Sequence, residues 1–475
     1  MNKRQLPFWL LIISLLFILI IRDLFRDGMF MDGMLYATVA NNLASGLGSF
    51  WHPNFSQTFF PVFHEQPPLL FGIEALFIKI FGHSIYVERG YGLLISVLNI
   101  FVMHKLWRLL FNDNEEKNIS WLPVIVWFSI PVCFWSFANN MEEPTMGLFD
   151  LTSVLFICKA TNEDKKIYIY LSIAALMIIG ASMCKGFQGL FPLVAIFFYW
   201  LVFRTISFYK MFVYSAFLLL LIIAFYGIIL LDKTVLLSYE MYINKRIFNT
   251  FMHPAATHTD RLYIIKELFS ELIPVFILLA IGSSIIKIKN IFHFDLYHFQ
   301  VSAWLLLIAL SGSLPLLLTI EQSGFYLVTA MPFFAIGFAV PFAQYISAGI
   351  QKFNIESKKF KPFVIVSWFV LFCSVSISLI TIKYIPKRDK EALHDVYCIG
   401  NKVGKGNIIG VPFETYTEWS LHSYFSRYFY ISLDTANVKY NYFLLDKTFD
   451  KKLIPAGYHF IDLPTEKFNL YGKID

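Results

Sequence analysis

Residues 167–203 read IYIYLSIAALMIIGASMCKGFQGLFPLVAIFFYWLVF, an apolar stretch interrupted by a single charge, Lys185. Each half approaches the ~20 residues that a helix needs to cross a hydrocarbon core, and Lys185-Gly186 breaks them apart. The rest of the chain shares this character. Of 475 residues, 57% are hydrophobic and 15% charged, with 52 Phe, 25 Tyr and 10 Trp. A water-soluble fold cannot hide that much apolar surface, so the composition defines a polytopic membrane protein. The net charge of +6 is small and dispersed, which excludes a nucleic-acid-binding stripe. Cys133, Cys158, Cys184 and Cys373 lie in apolar runs, only Cys398 does not, and no CxxC pair exists. Neither a disulfide framework nor a zinc site is encoded.

Working outward, further spans are expected at 7–21, 87–111, 120–138, 144–160, 211–231, 272–288, 299–319, 324–344 and 362–383, which with the two halves of 167–203 makes eleven crossings. Two short spans missed elsewhere would raise the total to thirteen. The run 67–82 carries Glu74 and Lys79 and is too short to cross, so it is expected to lie along the outer interface. With it excluded, Lys3/Arg4, Lys105/Arg108/Lys117, Lys159/Lys165/Lys166, Arg204/Lys210, Lys287/Lys289 and Lys352/Lys358/Lys359/Lys361 all fall inside, as positive loop residues should.

The expected fold is therefore an all-α polytopic membrane protein of eleven to thirteen helices. Residues 1–384 form the transmembrane module, with long outer loops at 22–86 and 232–271 and interfacial helices in the first. Residues 385–475 form a small soluble α/β domain, also outside, with β-rich runs at Asn407–Val411, Arg427–Ile431, Tyr440–Leu445 and Gly457–Ile461.

The polar residues of the outer segments are the ones able to do chemistry. Asp32 opens a helical pattern in which Ala37, Ala40, Asn41 and Ala44 make a small-residue stripe, ended by Gly46 and Gly48. It lies one turn before Tyr36, and pattern alone leaves it open between helix N-cap and catalytic carboxylate. His64-Glu65-Gln66 precede a Pro67-Pro68 break, and read equally as a turn in the headgroup layer. Glu142-Glu143-Pro144 stands at the outer start of a span, where Glu143 either complements the helix dipole or joins Asp32 as a base. Lys185 has no acid near it in sequence and is expected to snorkel or to meet an anion such as a lipid phosphate. The 232–271 loop adds Lys245, Arg246, His253, His258 and Arg261.

In order, these features resemble the C-type membrane glycosyltransferases, in particular the family 39 protein O-mannosyltransferases and the lipid A aminoarabinosyltransferases. The resemblance rests on Asp32, Tyr36 and Gly46 in the first loop, on His64 to Leu69, on Phe81-Gly82 with Glu88-Arg89, on Glu143-Pro144, on Lys185-Gly186, and on Phe325-Tyr326 through Met331-Pro332. It covers about residues 7 to 345. This chain departs from it twice: Gly33 stands where many relatives have a second acid, and Gln66 where many have a lysine that meets the donor phosphate.

The resemblance implies an inverting transfer of a sugar from a polyprenyl-phosphate carrier to a protein, lipid A or glycan acceptor. The enzyme would sit in a bacterial inner membrane with its site and tail periplasmic. Asp32 is then the first candidate base and Glu143 the second. Lys185, Arg89, Arg246 and Arg261 are candidates for the donor phosphate, and Tyr36, His64, Glu65, Gln66 and Tyr326 for substrate contacts. No cofactor is required, although a divalent ion held by Glu65 with His253 or His258 is compatible with the pattern. The alternative is a transporter or flippase of lipid-linked sugars, against which stand the missing internal repeats and the placement of charges in loops.

Overall fold

The computed structural model describes residues 3–112, 114–248, 262–289, 293, 295–319, 322–353, 355, 360–381, 388–435 and 440–474. The chain forms two compact units, Met1–Asp23 with Gly92–Ala138 and Glu142–Thr381, and Leu24–Tyr91 with Asn139–Met141 and Ile382–Asp475.

The first unit is helical throughout, and every apolar run expected to cross the membrane is helix. Among the described residues, eight helices are long and apolar enough to cross, or nine if a bent pair is one span. The eleven expected crossings differ from nine at two places. The helix Glu143–Asn162 is long enough but carries Glu143, Asp150 and Lys159. The stretch Ile167–Phe203 passes as one 37-residue helix by length and composition, yet it doubles back. Gly186 has φ +77°, and a Cβ on Gly189 would lie 2.4 Å from the carbonyl carbon of Ala181. In a continuing helix, residues eight apart are about 12 Å distant, so the chain reverses after Lys185 and Gly186–Val194 packs back against the end of Ile167–Lys185.

The bent pair is Glu115–Phe128 and Pro131–Ala138, which turn by 82°. The break falls at Pro131, which cannot continue the first helix and opens the second, and the new N-terminus has a partner far away in sequence. The helix Tyr263–Ile288 brings Glu271 to the second helix's first turn, where its Oε2 accepts a hydrogen bond from the Val132 backbone N–H at 2.6 Å. A carboxylate there satisfies an orphan donor and complements the dipole.

In the second unit, the first-loop helices are Met31–Ala44 and Leu69–Phe81, close to the expected limits. The latter has 13 residues, about 20 Å, and cannot cross. Gly33 to Asn42 are all buried. The small-residue stripe lets helix Trp419–Phe429 of the tail lie close, with Thr38 Oγ1 donating to the Ser423 carbonyl at 3.1 Å.

The tail's sheet has the order β2-β1-β3-β5-β4, with β1 Ile408–Gly410, β2 Ser432–Asp434, β3 Tyr442–Asp446, β4 Tyr458–Ile461 and β5 Phe468–Lys473. β1 pairs parallel with β2 and β3, and β5 pairs antiparallel with β3 and β4. The expected strand at Arg427–Ile431 is a correction. Most of it closes the helix Trp419–Phe429, because Leu421, Tyr424, Phe425 and Tyr428 recur at helical spacing and all but Tyr428 are core residues. Met29 and Met34 join Leu393, Tyr424, Phe425 and Leu444 in one core, so the first loop and the tail share a hydrophobic interior.

Candidate active site

In the first unit, the site grows from two helix ends. Gly186 stops Ile167–Lys185 and leaves Lys185 at a C-terminus, where a cation is favoured; Pro144 opens Glu143–Asn162 and leaves Glu142 and Glu143 at an N-terminus, where anions are favoured. Packing these helices side by side brings the ends together. Lys185 Nζ lies 2.7 Å from Glu142 Oε1 and hydrogen bonds Glu143 Oε1. Both glutamates are fully buried, and the lysine side chain is 8% exposed.

The lysine's anion is therefore supplied from within, by carboxylates 42 and 43 residues away. Of the two expectations for Lys185, to snorkel or to meet an anion, the structure shows the second, with the anion supplied by glutamates. Tyr326 lies beneath the ammonium, its ring centroid 4.4 Å from Nζ, and Gln188 holds that turn by donating to the Tyr326 carbonyl at 2.6 Å. Glu143 Oε2 has no hydrogen-bond partner among the described residues, which leaves it able to take a proton. Two turns deeper, Asp150 is fully buried with neither oxygen partnered among the described residues. The sequence reading passed over it, although an acid inside an apolar run is itself a signal.

The second unit holds Asp32, so the two candidate bases belong to different units. The helix is capped by Phe30 without a side-chain bond, and Asp32 lies in its first turn, partly exposed. Asp32 is thus not the N-cap that pattern allowed. Tyr36 is buried beside Phe71, ring centroids 6.0 Å apart. At Gly33, a Cβ would stand 1.7 Å from the Asn139 carbonyl oxygen. That backbone is fixed, since Asn139 Oδ1 accepts from Phe30 N at 3.0 Å and Asn140 Nδ2 donates to Glu74 Oε1 at 2.8 Å. The position where relatives carry a second acid is filled here by main chain.

Beneath lies a buried polar network that the sequence did not reveal. Glu88 Oε2 accepts from Arg427 Nη2 at 3.0 Å, joining the first loop's end to the tail. Burial, and then the charge of Glu88, push the Glu74 carboxyl up to about 8. Arg89 is buried and donates to the Gly28 carbonyl, so its guanidinium is already engaged within the unit. His64 is buried with Nε2 3.2 Å from His52 Nδ1, while Glu65 and Gln66 are half-buried. No three His, Cys, Asp or Glu side chains come together to hold a metal among the described residues. His253, His258 and Arg261 lie outside the described residues, as does the Arg246 side chain.

With this geometry in hand, the chain can be set beside known proteins. The family described as dolichyl-phosphate-mannose-protein mannosyltransferase matches residues 65–229. No curated protein matches in sequence. Among solved structures, the fold is similar to that of ArnT from Cupriavidus metallidurans bound to undecaprenyl phosphate, at TM-score 0.66 and 12% identity over 98% of this chain and 97% of that one. ArnT in the apo state gives 0.63, at 12% identity over 97% and 96%. The Archaeoglobus fulgidus oligosaccharyltransferase with zinc and sulfate gives 0.50 at 13% identity, over 89% of this chain and 62% of that longer one. The chain has an ArnT-like fold, and the resemblance to the C-type membrane glycosyltransferases read from the sequence stands. The family match is to the mannosyltransferase model and the fold match is to ArnT.

Proposed function

We propose that this chain is an inverting glycosyltransferase, which moves a sugar from a polyprenyl phosphate to a hydroxyl or phosphate acceptor at the outer face of the membrane. The observation that carries it is a fold shared over 98% of the chain with a protein whose structure holds undecaprenyl phosphate. The family match over 65–229 supports the same reading.

In the reaction, the bond from the anomeric carbon to the phosphate oxygen breaks and a bond to the acceptor oxygen forms. The phosphate departs as a stable anion, so cations are needed more than an acid. The acceptor's proton goes to a carboxylate, Asp32 first and Glu143 second. The donor phosphate falls to Lys185, whose third N–H is not used by the two glutamates, with Arg246 and Arg261 as further candidates.

The test is transfer from a panel of radiolabelled polyprenyl-phosphate sugars by the purified protein in nanodiscs, with released polyprenyl phosphate and product anomeric configuration as readouts. Asp32→Asn should lower turnover by ~10²–10⁴, the usual worth of general-base catalysis. Retention of more than about a tenth of the rate removes Asp32 from the role. Cysteines placed at the exposed Leu47 and at Thr257 in a cysteine-free background should label from outside intact spheroplasts; labelling only after lysis overturns the outer-face assignment.

A further inference from the structure

A second polar site lies in the first unit, far from Lys185. The helix Leu296–Ser313 has 18 residues and is about 27 Å long. Tyr326 follows its far end, beyond Gln322, whose amide donates back to Leu316 and Thr319. At its starting end opens a cleft of about 460 Å³ that also borders the last turns of Tyr263–Ile288 and the start of Ala343–Gln351. The cleft and the Lys185 cluster are separated by that helix.

We propose that this cleft binds the phosphate headgroup of an anionic membrane lipid, with the lipid's chain lying along Ile286 and Phe299. Four observations lead there. His298 lines the cleft at 6% exposure, its Nδ1 3.0 Å from Asp295 Oδ1, and its Nε2 has no partner among the described residues. Asp295 Oδ1 accepts from the His298 backbone N–H at 2.9 Å as the helix cap, and neither ring nitrogen has a hydrogen-bond partner among the described residues, so Nε2 is left for a ligand, as acceptor for a glycerol hydroxyl or, when it carries the hydrogen, as donor to a phosphate oxygen. Lys287 lines the same cleft, exposed, with no ion-pair partner among the described residues. Lys287 is the cation that a phosphodiester would meet there, while Asp295 is already engaged in capping the helix.

The floor is fixed by Tyr345 and Gln344. The Tyr345 hydroxyl accepts from the His293 N–H at 2.9 Å and donates to its carbonyl at 2.8 Å, while Gln344 Nε2 donates to that carbonyl at 2.9 Å. The wall continues onto the membrane-facing surface, where Phe299 is 59% and Leu296 60% exposed. A soluble phosphate would leave that apolar wall uncovered, whereas a lipid covers it. A cationic headgroup such as choline would bring its own positive charge toward Lys287, so the cleft should discriminate against it.

The experiment is native mass spectrometry of the full chain, titrated with phosphatidylglycerol or phosphatidylcholine, with inorganic phosphate as a competing arm. One phosphatidylglycerol should be retained per chain, at least tenfold more tightly than phosphatidylcholine. Lys287→Glu and the cleft-filling Ser283→Trp should each weaken it at least tenfold. Lys287→Arg should restore it, and Lys289→Glu, outside the cleft, should leave it unchanged. All three changed positions, 283, 287 and 289, are exposed, so folding is not at stake. Equal binding of the two lipids, equal binding by Lys287→Glu and the native chain, or equal loss in Lys289→Glu would overturn the site. Displacement of the lipid by millimolar inorganic phosphate would assign the cleft to free phosphate and overturn the lipid assignment. None of these readouts depends on sugar transfer.

Discussion

Replacing Lys185 with methionine removes the only cation that the described structure sets between Glu142 and Glu143. At an effective dielectric of ~20, unit charges 2.7 Å apart interact by about 6 kcal/mol, and desolvation of the ammonium offsets several kcal/mol of that. The variant does not merely lose the net worth of the pair. It leaves two buried carboxylates facing each other, and breaking a buried pair from one side costs ~3–5 kcal/mol. Unfolding of the purified protein in mixed micelles should register a loss of that size. The triple variant Lys185→Met/Glu142→Gln/Glu143→Gln should recover most of it, because neutral amides can hydrogen bond one another. If Lys185→Met costs under about 1 kcal/mol, or if the triple variant is no more stable than the single one, the cluster is not the closed ionic unit described here. Donor KM separates the two roles: a lysine serving only as a scaffold changes stability and leaves donor KM unchanged in the folded fraction.

Gly33→Ala should destabilise by ~1–3 kcal/mol, since the Asn139 carbonyl must withdraw by about 1.5 Å to make room; a Gly33→Asp protein as stable as the native chain would show that this close approach is not real. Arg427→Met should loosen the tail by ~3–5 kcal/mol, read as faster proteolysis after residue 388, with Glu88→Gln in the same chain restoring protection. His422 is stacked on Phe59 and donates from Nε2 to the Tyr416 carbonyl, and burial lowers its pKa to about 4. The neutral ring is favoured by folding, so this stability is full above the unfolded pKa of ~6.5 and is lost as pH falls through about 4, up to ~3 kcal/mol. Hydrogen exchange across Trp419–Phe429 should accelerate over that window and should not do so in His422→Gln.

What the sequence revealed followed local rules. The small-residue stripe from Ala37 to Ala44 and the glycines after it define a helix within a residue of its observed ends. The shortness of 67–82 predicts a helix that cannot cross. What stayed hidden depended on distant partners. Residues 120–138 read as one span although Pro131 breaks them, and nothing local announces Glu271, whose carboxylate caps the second half. Lys185 looked unpaired because its glutamates are 42 and 43 positions away. Arg427–Ile431 looked like a strand because its three aromatic residues and Ile431 were read without the helical period that begins at Leu421. The Glu88–Arg427 pair was invisible for the same reason, its members being 339 positions apart.

The shared core of the first loop and the tail also sets an order of events during synthesis. Met29, Met34 and Thr38 leave the ribosome early, but Thr38's partner Ser423 is 385 residues later. At ~5–20 residues per second, the loop waits roughly 20–80 s with its apolar face uncovered. Chains released before the tail is made would carry that face permanently exposed, which makes them targets for quality-control proteases even when every membrane helix has inserted.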